Sequence, residues 1–123
     1  MNILFLGDLV GENSFYFLKK NLSNICVKYN INFVIVNAEN VAGGYGITPE
    51  ICNNLFNTGV NVISTGNHIW DKSEIIPYIA KNYNLLKPDN LTNQSAGQGF
   101  ILYETKTNKK VLVINLICNL FMR

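Results

Sequence analysis

The chain contains one histidine, His68, and it follows Asn67 in the stretch STGNHIWD, Ser64 to Asp71. Two other short stretches carry residues of comparable chemistry. GDLVGE presents Asp8, and NAENVAGGYG presents Asn37, Glu39 and Asn40. Asp, Glu and Asn offer hard oxygen donors, and the imidazole adds a nitrogen that can carry a transferable proton near neutral pH. Such a set suits borderline divalent ions such as Mn²⁺, Fe²⁺ or Zn²⁺ better than a pure oxygen cage for Ca²⁺ would. Two ions about 3.5–4 Å apart would polarise a phosphoryl group and generate a hydroxide nucleophile. Glu39, central in sequence and in position, is the natural bridge between them.

Taken singly, each residue has a plainer reading. An Asp after a strand is usually a helix cap, AGGYG is a flexible turn, and a lone His near a strand end is often structural. The coincidence of three strand ends is what points to a site. The first half of the chain alternates β-rich runs with helical patterns. ILFLG precedes Phe15, Leu18, Leu22, Ile25, Cys26 and Tyr29, the stripe of an amphipathic helix. FVIVNA reads as a strand apolar on both faces. Thr48, Pro49 and Glu50 supply a hydroxyl cap, a first-turn proline and an acid at the positive end of a helix that Gly59 closes. VNVIST is the third strand. This order predicts parallel pairing with right-handed crossovers, and ligands in open parallel sheets collect at the carboxyl ends of the strands. Asp8, then Glu39 with Asn40, then Asn67 with His68 fall at those ends.

Beyond Asp71, SEIIPYIAKN predicts a short helix disturbed by Pro77, and LLKPDNLTNQSAGQ a loop-rich segment. GFILYE and KKVLVINLI predict two strands joined by TKTN as a hairpin. Two crossover helices give little cover to a parallel sheet, and VLVINLICNLFMR follows with no capped helix. The expectation is therefore the front part of a larger α/β domain, with an open sheet edge that a partner or a homo-oligomer would cover.

At 123 residues, 48% hydrophobic and 15% charged, the sequence fits one folded domain. A net charge of +2 and scattered lysines argue against nucleic acid or an anionic membrane as partner. Lys19–Lys20 and Lys109–Lys110 read as solvated faces. Cys26, Cys52 and Cys118 show no Cys-x-x-Cys spacing and read as reduced thiols, the first two at core positions of helices. Ile3 to Leu6 is too short and lacks the basic lead of a secretory signal, and the apolar run Val111 to Phe121 is broken by Asn115 and Asn119. The expectation is a soluble, cytoplasmic protein.

GDLVGE, NAENVAGGYGIT and TGNHIWDKSE, with the later LLKPDNL and AGQGF segments, resemble the YmdB-type metallophosphoesterases over essentially the whole chain. This bacterial family of dinuclear-metal cyclic-nucleotide phosphodiesterases lies within the calcineurin-like phosphoesterase superfamily. The resemblance implies the N-terminal part of an α/β/β/α sandwich, with residues 1–123 as a single, incomplete metallophosphoesterase domain. It implies Asp8 as ligand of one metal, Glu39 as the bridging ligand, Asn67 as ligand of the second metal and Asn40 at or beside the metal shell. His68 would be the general acid that protonates the leaving alkoxide. The cofactors implied are two divalent ions (Mn, Fe, Mg or Zn), and the substrate a cyclic nucleotide or related small-molecule phosphodiester.

The broad superfamily has Asp-x-His in its first motif, whereas Val10 holds the third place here, as in this family. Family members complete the site with three further histidines, and after VLVINL they continue with Gly-Arg where this chain reads Ile117, Cys118 and Asn119. The ligand set implied for the second ion is thus short of nitrogen, and metal binding is expected to be weakened. The alternative is an inactive remnant or interaction module of the same fold. A Ser-dependent esterase is excluded because Leu9 stands where its nucleophile would be. A flavodoxin-like nucleotide-binding module is a further alternative, although AGGYG lacks the spacing of a dinucleotide fingerprint.

Overall fold

Val34 and Val36 turn one way from the second strand while Phe33 and Ile35 turn the other, and all four are buried. A strand apolar on both faces must lie between two layers. The computed structural model, which describes residues 1–91 and 96–118, builds those layers in chain order. The elements are β1 (Ile3–Leu6), α1 (Gly11–Lys28), β2 (Phe33–Asn37), α2 (Pro49–Thr58) and β3 (Val62–Ser64), then a 3₁₀ turn (Asn67–Trp70), α3 (Ile75–Ile79), β4 (Leu85–Leu86), β5 (Phe100–Glu104) and β6 (Lys110–Ile114). The first four strands form one sheet in the order β1-β2-β3-β4, all parallel. β5 and β6 form an antiparallel hairpin.

The helices occupy one face. Phe15, Leu18 and Leu22 of α1, Cys52 and Leu55 of α2, and Ile75 and Ile79 of α3 pack with Val34, Val36, Ile63 and Leu85 of the sheet. Cys52 belongs to this core, and burial pushes its thiol up to about 12. Cys26 is half-buried against the same cluster and Cys118 is exposed, all three being free thiols. Thr48 caps α2 as expected, its Oγ1 accepting from the Ile51 N–H at 3.3 Å, and Gly59 ends the helix at φ 111°.

The hairpin covers β2, β3 and β4 on the opposite face. Val111 and Val113 of β6, with Ile101 and Tyr103 of β5, pack on Phe33, Ile35, Val62 and Leu86. The expectation that the sheet lacks cover is corrected over β2, β3 and β4, where the hairpin packs, and holds at β1, whose Ile3 and Phe5 stand in register with Phe33 and Ile35 yet stay 44% and 60% exposed. The hairpin's outer face is an apolar surface left open. Phe100 pairs with Ile114 and Leu102 with Leu112 across it, and these four are 54–59% exposed.

Two local readings also change. Pro77 lies inside α3 without breaking it, because the first four N–H groups of a helix have no intrahelical partner to lose. The segment expected to be loop-rich contains β4, in which Leu85 and Leu86 pair with Ile63 and Ser64; two residues are too few to show a period. The rest of that reading over 92–95, and the chain ending over 119–123 with Asn119, lie outside the described residues. The TKTN hairpin forms as expected: Asn108 donates its N–H to Thr105 O at 2.9 Å and adopts a φ of 57°. Among the described residues no helix is long and apolar enough to cross a membrane.

Asn115 ties the hairpin to the parallel sheet. Its Nδ2 donates to Thr65 O at 2.8 Å and Leu86 O at 3.1 Å, while its backbone N–H donates to Gly99 O at 2.8 Å. Asn115→Ala removes the carboxamide donor to Thr65 O, while Leu86 O keeps the Thr65 hydroxyl at 2.8 Å, and should cost about 1–3 kcal/mol. The check is a lower urea midpoint with unchanged slope; an unmoved midpoint would show that the carboxamide does not hold the layers together.

Candidate functional site

Register brings the three loops to one edge. Leu6 pairs with Val36 and Asn37 with Ser64, so the carboxyl ends of β1, β2 and β3 lie side by side. The loops are then joined by backbone bonds. Leu9 N–H donates to Asn37 O at 2.8 Å, Gly11 N–H to Asn40 O at 3.0 Å, and Ala38 N–H to Ser64 O at 3.1 Å.

Asp8 is not a helix cap. The residue at the N-cap of α1 is Val10, with no side-chain cap bond. Asp8 is exposed and adopts a φ of 43°, a left-handed conformation uncommon for a residue with a Cβ. Its Oδ1 accepts from Asn40 Nδ2 at 2.8 Å. The carboxamide of Asn40 therefore steadies the carboxylate of Asp8 across the first two loops. Asn37, also at this edge, shapes the second loop: its Oδ1 accepts from Glu39 N–H at 3.3 Å, an Asx-type turn.

Glu39 reaches the third loop. Its Oε2 lies 3.5 Å from the His68 N–H, a long contact, and its carboxylate lies against the bare Cα of Gly66. A Cβ on Gly66 would come within 2.5 Å of Oε1. Asn67 opens the 3₁₀ turn and is exposed. His68 is partly exposed, its Nδ1 2.6 Å from Asp71 Oδ2, with the Tyr45 ring edge-on at 5.3 Å.

The structure thus joins Asp8 to Asn40, and Glu39 to the turn that carries Asn67 and His68. Gly66, Tyr45 and Asp71 are absent from the candidates read from sequence. Gly66 and Asp71 lie within the same motif, and Tyr45 within AGGYG, but what each touches is set by tertiary contact. An open cleft of about 770 Å³ between α1, α2 and the loop after β2, lined in part by Tyr16, Lys19, Val41 and Lys72, contains none of the five candidates. The convergent polar groups lie at the strand ends and not in that cleft.

The donor chemistry tests which metal content fits. Two carboxylates and two carboxamides give oxygen atoms suited to a hard divalent cation. Among the described residues, no group of three or more His, Cys, Asp and Glu is gathered as a metal-holding cluster. The residues present fit part of a shell for one cation and do not fit a complete pair of ions.

Comparison with known proteins agrees with the family resemblance read from the sequence. A protein described as 2',3'-cyclic-nucleotide 2'-phosphodiesterase from Bacillus subtilis (strain 168) is 40% identical over 116 residues, covering 94% of this chain and 44% of that protein. The fold superposes on a hypothetical protein from Thermus thermophilus with a TM-score of 0.90 at 30% identity, over 99% of this chain and 47% of that one. It superposes on a novel phosphatase from Mycoplasma pneumoniae with a TM-score of 0.83 at 34% identity, over 93% of this chain and 42% of that one. The chain spans less than half the length of the curated relatives it matches. The YmdB-like protein family matches over residues 4–123, and the chain belongs to that family.

Proposed function

We propose that this chain supplies the strand-end part of a metal-dependent phosphodiesterase acting on cyclic nucleotides or related small phosphodiesters. The observation that carries the reading is the linkage of three loops at one sheet edge: Asp8 held by Asn40, and Glu39 seated on Gly66 beside the His68 N–H. Similarity to a 2',3'-cyclic-nucleotide 2'-phosphodiesterase supports the substrate class. Asp8 and Glu39 would be the carboxylate ligands of one cation. Asn67 would add a carboxamide oxygen, and Asn40 acts beside the shell by orienting Asp8. When bound, such cations polarise a phosphoryl oxygen and offset the negative charge that develops on it. His68 is the general acid. In its protonated form it gives a ring proton to the leaving alkoxide oxygen and becomes neutral imidazole as the P–O bond breaks.

The oxygen-only set predicts that the isolated chain binds Mn²⁺ weakly and cleaves a generic phosphodiester far more slowly than a full-length relative. Glu39→Gln removes one of the two charges. Gly66→Ala keeps every donor but drives a Cβ into the Glu39 carboxylate, whose flexible end must swing away. Both variants should stay folded and lose Mn²⁺ affinity by about tenfold or more, measured by titration calorimetry with circular dichroism as the folding control. Two tightly held ions per chain with robust turnover, or Mn²⁺ affinity untouched by either substitution, would overturn the reading.

One observation favours a second reading, an interaction module of the same fold. The outer face of the hairpin offers Phe100, Leu102, Leu112 and Ile114 to solvent in two cross-strand pairs. That reading predicts a dimer or larger species at micromolar concentration in size-exclusion chromatography with light scattering. A monodisperse monomer that unfolds cooperatively counts against it.

A further inference from the structure

We propose that Asp71 is the positioning residue of His68, fixing which ring nitrogen is left to exchange a proton. This rests on the reading of His68 as proton donor. The local geometry begins with the 3₁₀ turn Asn67–Trp70, in which residues three apart lie on the same side. Asp71 closes that turn. Its backbone N–H donates to His68 O at 3.1 Å, and its Oδ2 lies 2.6 Å from His68 Nδ1. The two residues are therefore bonded twice, once through the backbone and once through side chains. An ionised carboxylate can only accept, so the proton in the side-chain bond belongs to Nδ1. Nε2 is then the nitrogen free to meet a leaving oxygen.

The other side of the ring is held by the glycine-rich loop of the second strand. Gly43, Gly44 and Gly46 have φ values of 70°, 98° and 76°, and Ala42 N–H donates to Gly46 O at 3.0 Å, closing the loop on itself. Gly46 packs directly on the turn: a Cβ there would fall 3.3 Å from His68 O and 3.3 Å from Asp71 Cβ. The loop is thus no free turn. Its glycines let it press against the 3₁₀ segment, and Tyr45 projects from it to meet the imidazole edge-on at 5.3 Å and 65°. A carboxylate on one nitrogen and an aromatic ring on one side leave the imidazole little freedom to rotate.

The test uses the fact that the chain holds a single histidine, so that a ¹⁵N-imidazole spectrum reports His68 alone. At pH 9, above the ordinary imidazole range, ¹⁵N shifts and two-bond ¹H–¹⁵N couplings distinguish the Nδ1–H from the Nε2–H tautomer. The wild-type chain should favour Nδ1–H by about tenfold, the scale of a charge-assisted bond. Asp71→Ala should abolish that preference, and Asp71→Glu should restore part of it, with amide spectra confirming an intact fold. An Nε2–H tautomer in the wild type, or a wild-type tautomer ratio retained in Asp71→Ala, would overturn the proposal. Because the tautomer is read without metal or substrate, its outcome stands apart from any failure of the phosphodiesterase reading, which metal binding and turnover decide.

Discussion

Glu39 can lie beneath the turn that follows β3 because residue 66 has no side chain. A single Cβ there would occupy the space of the carboxylate. This close approach couples the second strand's loop to the third, just as the Asn40–Asp8 bond couples the second to the first. Without it the edge would carry three separate polar loops. With it, the charge of one strand end is placed beside the backbone of the next.

Parallel register makes this arrangement possible. Pairings of Leu6 with Val36 and Asn37 with Ser64 align the ends of the strands before any side chain contributes. The sheet holds that alignment because three helices cover one face and the hairpin covers β2, β3 and β4 on the other. Asn115 then fastens the hairpin at the carboxyl end of β4, next to Thr65 and the edge that carries the candidate residues. Stability of the layered packing and geometry of the edge are therefore linked at one carboxamide.

Much of this was legible from residue types and spacing. The apolar stripe of α1, the Thr48-Pro49-Glu50 start of α2 and the double-faced strand β2 are local patterns, and local patterns survive folding. The strand ends that deliver Asp8, Glu39 and Asn67 follow from the element order alone. What stayed hidden was whatever depends on contact between distant segments. β4 is two residues long and takes its conformation from β3. Cover of the second sheet face by the hairpin required knowing how the hairpin docks. The plain readings of Asp8 as a cap and AGGYG as a free turn fail for the same reason: Asp8 precedes a helix whose cap is Val10, and Gly46 packs on a turn more than twenty residues away.

The central claim is the proposal that Asp8 and Glu39 would supply the core of an oxygen-donor shell for one divalent cation at this edge. Anomalous diffraction from crystals soaked in Mn²⁺ tests it directly, because it locates the ion without reference to turnover. One peak within bonding distance of both carboxylates is the result predicted. Absence of a peak at the strand ends in crystals that hold Mn²⁺ elsewhere, or a peak coordinated by neither Asp8 nor Glu39, would contradict it.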